Sequence, residues 1–309
     1  MNNTILVSVV MITYKHEAYI KQAIEGVLMQ ETAFDYELII SDDCSPDATE
    51  QIVKEIINTH PKGNCIKYFR HEKNIGMQKN GAFSLEKGKS KYLAICEGDD
   101  YWIDPLKLQK QVDFLETNTD FGLIFTDADL YYQESKKTIK SYDKTFKRTI
   151  PTGYVLNVLV EGNPYKTCTS LFRHKFIADV FEKNILNRKG FGDKSLWLHI
   201  ASKSKVAYIS DSTSVYRILD SSASHFRSIE QAEHFFEEVY NDSIENAVLY
   251  NIPIDKKKLR KGYYQSLITY CLEKNKYKEL LTYWKKLDIR VYLFAKEKIV
   301  RPVFKVLIN

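Results

Sequence analysis

Five short apolar runs recur along the first part of the chain at nearly even intervals. They begin at Leu6, Tyr36, Ile66, Tyr92 and Gly122. Steps of about 30 residues match one strand–helix unit. The rhythm predicts an α/β fold, with helices flanking a mostly parallel sheet. Leu6–Thr13 is almost wholly apolar, as a strand covered on both faces should be. Helical spacing follows at Ala18, Lys21, Ile24, Val27 and Leu28. The second strand, Glu37–Ser41, leads to Asp47 and Glu50, a capping-box pattern that opens a helix. The third, Ile66–Arg70, precedes Asn74-Ile75-Gly76 and a short helix. The fourth, Tyr92–Cys96, runs into Glu97-Gly98-Asp99-Asp100, and Asp104-Pro105 opens the next helix. The fifth, Gly122–Thr126, is expected to end at Asp127-Ala128-Asp129.

After Tyr131 the pattern loosens. Residues 133–149 are polar and Lys-rich and predict a loop or hairpin. Strand-like runs return at 169–173, 207–209 and 213–217, with a helix over 193–202, and the chain reads as helical from Ile229 onward. We therefore expect a main α/β domain over 1–228, in two halves (1–130 and 131–228), and a helical extension over 229–309. That extension is basic. From Lys256 onward there are 15 Lys/Arg against 4 Asp/Glu. That stretch carries +11, so with a chain total of +5 the remainder carries −6. A basic tail on an acidic body predicts a surface for an anionic partner.

The five cysteines form no CxxC pair, which disfavours a zinc site or disulfide framework and fits a reduced, cytoplasmic compartment. The N-terminal apolar run is too short to span a bilayer and lacks the flanks of a signal peptide. No Gly-rich phosphate loop is present, which disfavours dinucleotide-dependent dehydrogenases and P-loop enzymes. Nor is there an RNA-recognition, KH or zinc-finger pattern, so no nucleic-acid partner is expected.

Three acidic sites fall just past expected strand ends: Asp42/Asp43, the Glu97–Asp100 run and Asp127/Asp129. Parallel strands share a carboxyl edge, where open α/β sheets bind ligands. Three carboxylates in four residues repel one another. A divalent cation, basic groups or raised pKa values must compensate, unless the run is simply a solvated turn. Asp47 and Asp104 sit where caps are needed. Asp127 and Asp129 admit either a structural or a site role. Asp193, read from the residues alone, fits the N-cap of the following helix.

Val7 to Tyr14, Glu37 to Ser45 and Glu97 to Asp100, in this order and spacing, resemble the family 2 glycosyltransferases of bacterial surface-polysaccharide type. The resemblance covers roughly residues 5–225. It implies the GT-A fold, a Rossmann-like sheet binding a nucleotide-diphosphate sugar, most often a UDP-sugar. Residues 1–130 would then bind the donor, and 131–228 would carry the acceptor side and the base. The resemblance places Thr13 and Tyr14 at the nucleobase and ribose, Asp43 on the base, Asp99 at the ribose, and Asp100 on Mn²⁺ or Mg²⁺. Glu97 stands where the family often has Asp. Lys79, beside the Asn74-x-Gly76 loop, falls where a basic residue approaches the nucleotide. Asp193 matches the family's catalytic base. Arg217 and His225 lie where a segment closes over the diphosphate.

The implied reaction is a metal-assisted single displacement with inversion, onto a hydroxyl of a saccharide or lipid-linked saccharide. The basic, aromatic tail suits the inner face of a membrane, so a peripheral location is expected. The rivals are a nucleotidyltransferase that makes nucleotide sugars and a degenerate glycan-binding protein.

Overall fold

The computed structural model describes residues 4–183, 185–187, 192–219, 226 and 228–287. They fall into two compact units, Met1–Leu159 with Asn163–Asp220, and Val160–Gly162 with Ser221–Asn309.

The first unit opens with β1 (Val7–Thr13), α1 (Ile20–Leu28), β2 (Tyr36–Asp42), α2 (Thr49–Thr59), β3 (Ile66–Arg70), α3 (Met77–Lys87) and β4 (Tyr92–Ile95). β1, β2, β3 and β4 pair in parallel, with Thr13 opposite Asp42 and Val10 opposite Ile95. Past β4 the backbone keeps running alongside β1. Cys96 N–H donates to Val10 O at 3.2 Å and Gly98 N–H to Ile12 O at 3.0 Å. The acidic run is thereby delivered beside Thr13. Val7, Val9 and Met11 pack with Ile20, Ile24 and Val27 of α1 in the core. Each such burial is worth roughly 1.5–3 kcal/mol. Gly26 permits a close approach of α1: a Cβ there would meet the Trp102 backbone at 2.8 Å.

The unit continues with β5 (Tyr101–Trp102), α4 (Lys107–Thr117), β6 (Phe121–Tyr132), β7 (Lys137–Ile139), α5 (Tyr142–Thr145), α6 (Leu156–Glu161), β8 (Leu171–Arg173), α7 (Ile177–Glu182), α8 (Gly192–Ala201) and β9 (Lys205–Ile218). The sheet order is β3-β2-β1-β4-β8-β6-β9-β5, with β7 on β6. β8 enters antiparallel between β4 and β6, whereas β6 and β9 are parallel. The sheet is therefore mixed, with β1, β2, β3, β4, β6 and β9 running one way and β5, β7 and β8 the other.

β6 also departs from expectation. It does not stop at Thr126 but runs to Tyr132, because β9 pairs along its length with bulges around Asp127. Residues 207–209 and 213–217 accordingly belong to one strand. Asp127 and Asp129 lie buried inside β6, not at a ligand-binding edge. Asp127 Oδ1 accepts from the N–H groups of Ala128 and Asp143. Asp129 Oδ1 accepts from Ser141 N–H and the Ser212 hydroxyl, and Asp129 is ion-paired to Lys140 at 2.6 Å. Both carboxylates therefore fold the Lys-rich segment back onto the sheet, and their role is structural.

The second unit holds α9 (Ile229–Leu249), α10 (Lys256–Glu273) and α11 (Tyr277–Leu287). Ser228 caps α9 and Asp255 caps α10 with side-chain oxygens. Phe226, Ala232, Leu267, Cys271, Leu280 and Tyr283 form its core. No helix among the described residues is long and apolar enough to cross a membrane. Residues 288–309 of the basic tail lie outside the described residues.

Candidate active site

The carboxyl ends of β1, β2 and β4 converge on one edge, and the candidate residues gather there. Asp43 is 3% exposed, and both its oxygens grip the loop after β3. Ile75 N–H donates to Oδ1 at 2.7 Å and Gly76 N–H to Oδ2 at 2.9 Å. Gly76 takes φ +90°, a conformation that favours glycine, which explains the Asn-x-Gly sequence. Each carboxylate oxygen keeps a second lone pair for a ligand. Tyr14 stands partly exposed at the rim. Lys79 is exposed on α3. Its neighbour Asn80 is the buried residue, donating from its side-chain amide to Ser41 O at 2.9 Å.

Among the buried polar atoms without a hydrogen-bond partner in the described residues are three of this region: Thr13 Oγ1, His16 Nδ1 and Glu97 Oε2. Gly98 packs closely against the first two. A Cβ at that position would sit 2.8 Å from His16 Nδ1 and 2.9 Å from Thr13 Oγ1. Orphaned buried polar atoms are rare and call for a ligand or water. Burial pushes the His16 imidazole below its ordinary range, against the opposing pull of Asp99, Asp47 and Asp42.

The acidic run is electrostatically loaded. Glu97 is pushed up to about 8, first by burial and then by the charge of Asp99, with Asp193 adding to it. The charge of Asp193, on α8, thus acts on the acidic run. Its Oδ2 accepts from the Thr167 hydroxyl at 2.7 Å. Asp100 is held well above the usual carboxyl range by burial, Asp99 and Glu97. It is the residue expected to hold the cation. It is 3% exposed, and Oδ1 accepts from Arg217 N–H at 2.7 Å. Its carboxyl thus ties the acidic turn to β9, and Glu97 and Asp99 on the same turn are half-buried. Oxygen donors of this kind suit a hard divalent cation, and the partnerless Glu97 oxygen fits one.

Arg217 was expected near a diphosphate, but its guanidinium is committed within the protein. It donates to Asp99 O at 2.7 Å, Gln133 Oε1 at 2.6 Å and Gln22 Oε1 at 2.8 Å. It also lies 4.8, 5.2 and 5.4 Å from the ring centres of Tyr19, Tyr101 and Tyr131. His225 lies outside the described residues. Sequence reasoning missed His16, Thr167 and the close packing at Gly98. Only the glycine inside the acidic run hinted at them.

The fold thus sets an acidic turn past β4 and an acid at the start of α8 on a mixed α/β sheet. Residues 8–180 match the model described as glycosyl transferase family 2. The chain belongs to that family. An uncharacterised protein of Mycobacterium tuberculosis is 31% identical over 212 residues, 68% of this chain but 58% of the relative. The chain thus spans less than two thirds of that relative. The Bacillus subtilis protein TuaG, a putative teichuronic acid biosynthesis glycosyltransferase, is 27% identical over 229 residues, 71% of this chain and 81% of TuaG. Among solved structures, S. aureus TarS 1-349 in complex with UDP-GlcNAc superposes with a TM-score of 0.58 at 17% identity, covering 93% of this chain and 83% of that one. Mannosyltransferase PcManGT from Pyrobaculum calidifontis, in complex with GDP-Man and Mn²⁺, gives 0.58 at 14%, covering 95% and 86%. At such identities the likeness concerns the fold, and it bears out the GT-A architecture.

Proposed function

We propose that the chain is an inverting glycosyltransferase, moving a sugar from a nucleotide-diphosphate sugar to a hydroxyl of a saccharide or lipid-linked saccharide. One observation carries the reading. The carboxylate of Asp193 is near enough to the acidic run to raise Glu97, so an acid on α8 and the acids past β4 serve one cleft. Thr13, Tyr14 and Asp43 hold the nucleoside. Asp100, with Glu97 and Asp99 beside it, would hold a divalent cation, which when bound draws charge from the leaving diphosphate. Asp193, oriented by the Thr167 hydroxyl, takes the proton of the acceptor hydroxyl. The oxygen then attacks the anomeric carbon from the side opposite the diphosphate. General-base help of this kind is worth about 10²–10⁴ in rate.

UDP is the favoured nucleotide, in keeping with the UDP-GlcNAc complex of TarS. The teichuronic acid role given to TuaG supports a surface-polysaccharide acceptor. The net +11 from Lys256 onward supports peripheral docking on an anionic membrane at the cytoplasmic face. Calorimetric titration with UDP, GDP, CDP and dTDP, with Mn²⁺ or with EDTA, tests the donor site. Asp193→Asn should bind the preferred nucleotide as the wild type does but fail to transfer. Absence of all nucleotide binding, or wild-type turnover in Asp193→Asn, refutes the reading.

A further inference from the structure

The buried carboxylates of β6 fold residues 140–148 back, and this brings two rings and two cations together. Lys166 Nζ lies 5.4 Å from the Tyr142 ring centre and 5.7 Å from that of Tyr216. The Arg148 guanidinium lies 5.3 Å from the same Tyr142 ring. Arg148 has a counter-ion: its Nη1 donates to Asp143 Oδ1 at 2.7 Å. The other Asp143 oxygen accepts from the Tyr208 hydroxyl at 3.1 Å. Both Asp143 oxygens are therefore engaged by groups other than Lys166. Lys166 is half-buried and its ammonium makes no ion pair or hydrogen bond among the described residues.

Ring faces attract a cation but accept none of its three N–H bonds in the ordinary sense. A partly desolvated ammonium without acceptors is unfavourable unless a ligand supplies them. Burial pushes the Lys166 amine below its ordinary range. Arg148 pushes the same way, while Asp143, Cys168 and Asp100 pull back. An oxyanion is the group that both nearby cations would welcome. The position also matters. The next residue, Thr167, holds Asp193, and the field of Asp100 reaches the amine. The carboxylates of the cleft repel phosphate, and Lys166 supplies the opposite sign beside them.

We propose that Lys166, flanked by Tyr142, Tyr216 and Arg148, is an oxyanion subsite that takes a phosphoryl group of a substrate. The nature of the substrate rests on the transferase reading above; the existence of the subsite does not. The phosphoryl group has two possible sources, the diphosphate of the donor or a phosphate ester on the acceptor.

The test compares the wild type with Lys166→Met, Lys166→Gln and Lys166→Arg. Binding of inorganic phosphate is read by ³¹P line broadening, and binding of UDP and UMP by calorimetry. Phosphate should bind the wild type, weaken at least about tenfold in the Met and Gln variants, and recover in Arg, as expected for one charge-assisted bond. A parallel loss of UDP affinity with UMP unchanged identifies the donor diphosphate as the source. Phosphate binding lost with UDP unchanged identifies the acceptor. Loss of phosphate binding in a protein that binds no nucleotide supports the subsite and refutes the transferase reading instead. Equal phosphate affinity in the wild type and in whichever neutral variants fold, or none in the wild type, overturns the proposal.

Discussion

Replacing Glu97 by Gln tests the electrostatics of the acidic turn directly. Glu97 goes from 4.5 to about 8 on folding. Between those values the folded chain binds more protons than the unfolded chain, so stability falls as pH rises. The contribution is complete below 4.5 and is lost progressively toward 8. From pH 4.5 to pH 7, at about 1.4 kcal/mol per unit, the loss reaches roughly 3 kcal/mol. That is a ceiling: the carboxylate oxygen is buried, but the residue as a whole is partly exposed. In a domain of this size it corresponds to a drop of about 5–10 °C in melting temperature. Gln carries no proton to lose, so the wild-type melting temperature should decline against that of Glu97→Gln across this range in EDTA. Circular dichroism melts at unit pH steps read the difference, which cancels every other titrating group not coupled to Glu97. Mn²⁺ at pH 7 should restore the wild type more than the variant. Parallel pH profiles for the two proteins refute a shifted Glu97, and with it the crowded acidic cleft.

Gly98→Ala should weaken nucleotide binding at least about tenfold, because its Cβ meets His16 Nδ1 and Thr13 Oγ1 below 3.0 Å. Its stability should fall by only about 1–3 kcal/mol, the usual consequence of overpacking, and unaltered binding in calorimetry contradicts a role for this packing in the site. Lys256, Lys257 and Lys261 are exposed on α10. Changing all three to Gln should reduce flotation with anionic liposomes by tenfold or more, at about 1 kcal/mol per charge. Flotation that is unchanged, or absent in the wild type, removes the membrane role.

The half of the fold built from local periodicity was legible. Strands β1 to β4 and α1 declare themselves through apolar runs and helical spacing that need no distant partner. In the other half the runs at 169–173 and 193–202 were legible too, but the strand pairing was not, because its determinants are remote in sequence. β8 is three residues long and is specified by β4 and β6 on either side of it. Asp127 looked like a strand terminator, and only the pairing of β9 shows that the strand runs through it. The same holds at the site. Carboxylates announce themselves by type and spacing. The engagement of Arg217, the orphaned Nδ1 of His16 and the unpaired amine of Lys166 are properties of partners, which no local pattern encodes.

Arg217 carries a further consequence, in time rather than in space. Its side chain reaches Gln22, 195 positions earlier in the chain, and its own N–H holds Asp100. β5 pairs with β9 through Tyr101–Val215 and Trp102–Ser214. As the polypeptide leaves the ribosome, β1 to β4 can associate once the first hundred residues are out. The acidic turn cannot be closed until residue 217 has emerged. Vectorial synthesis therefore completes the scaffold well before the site, and non-local contacts of this kind are the slow ones to form. A chain interrupted anywhere between the two would present a sheet with its cluster of carboxylates unfastened, a distinctive handle for quality control.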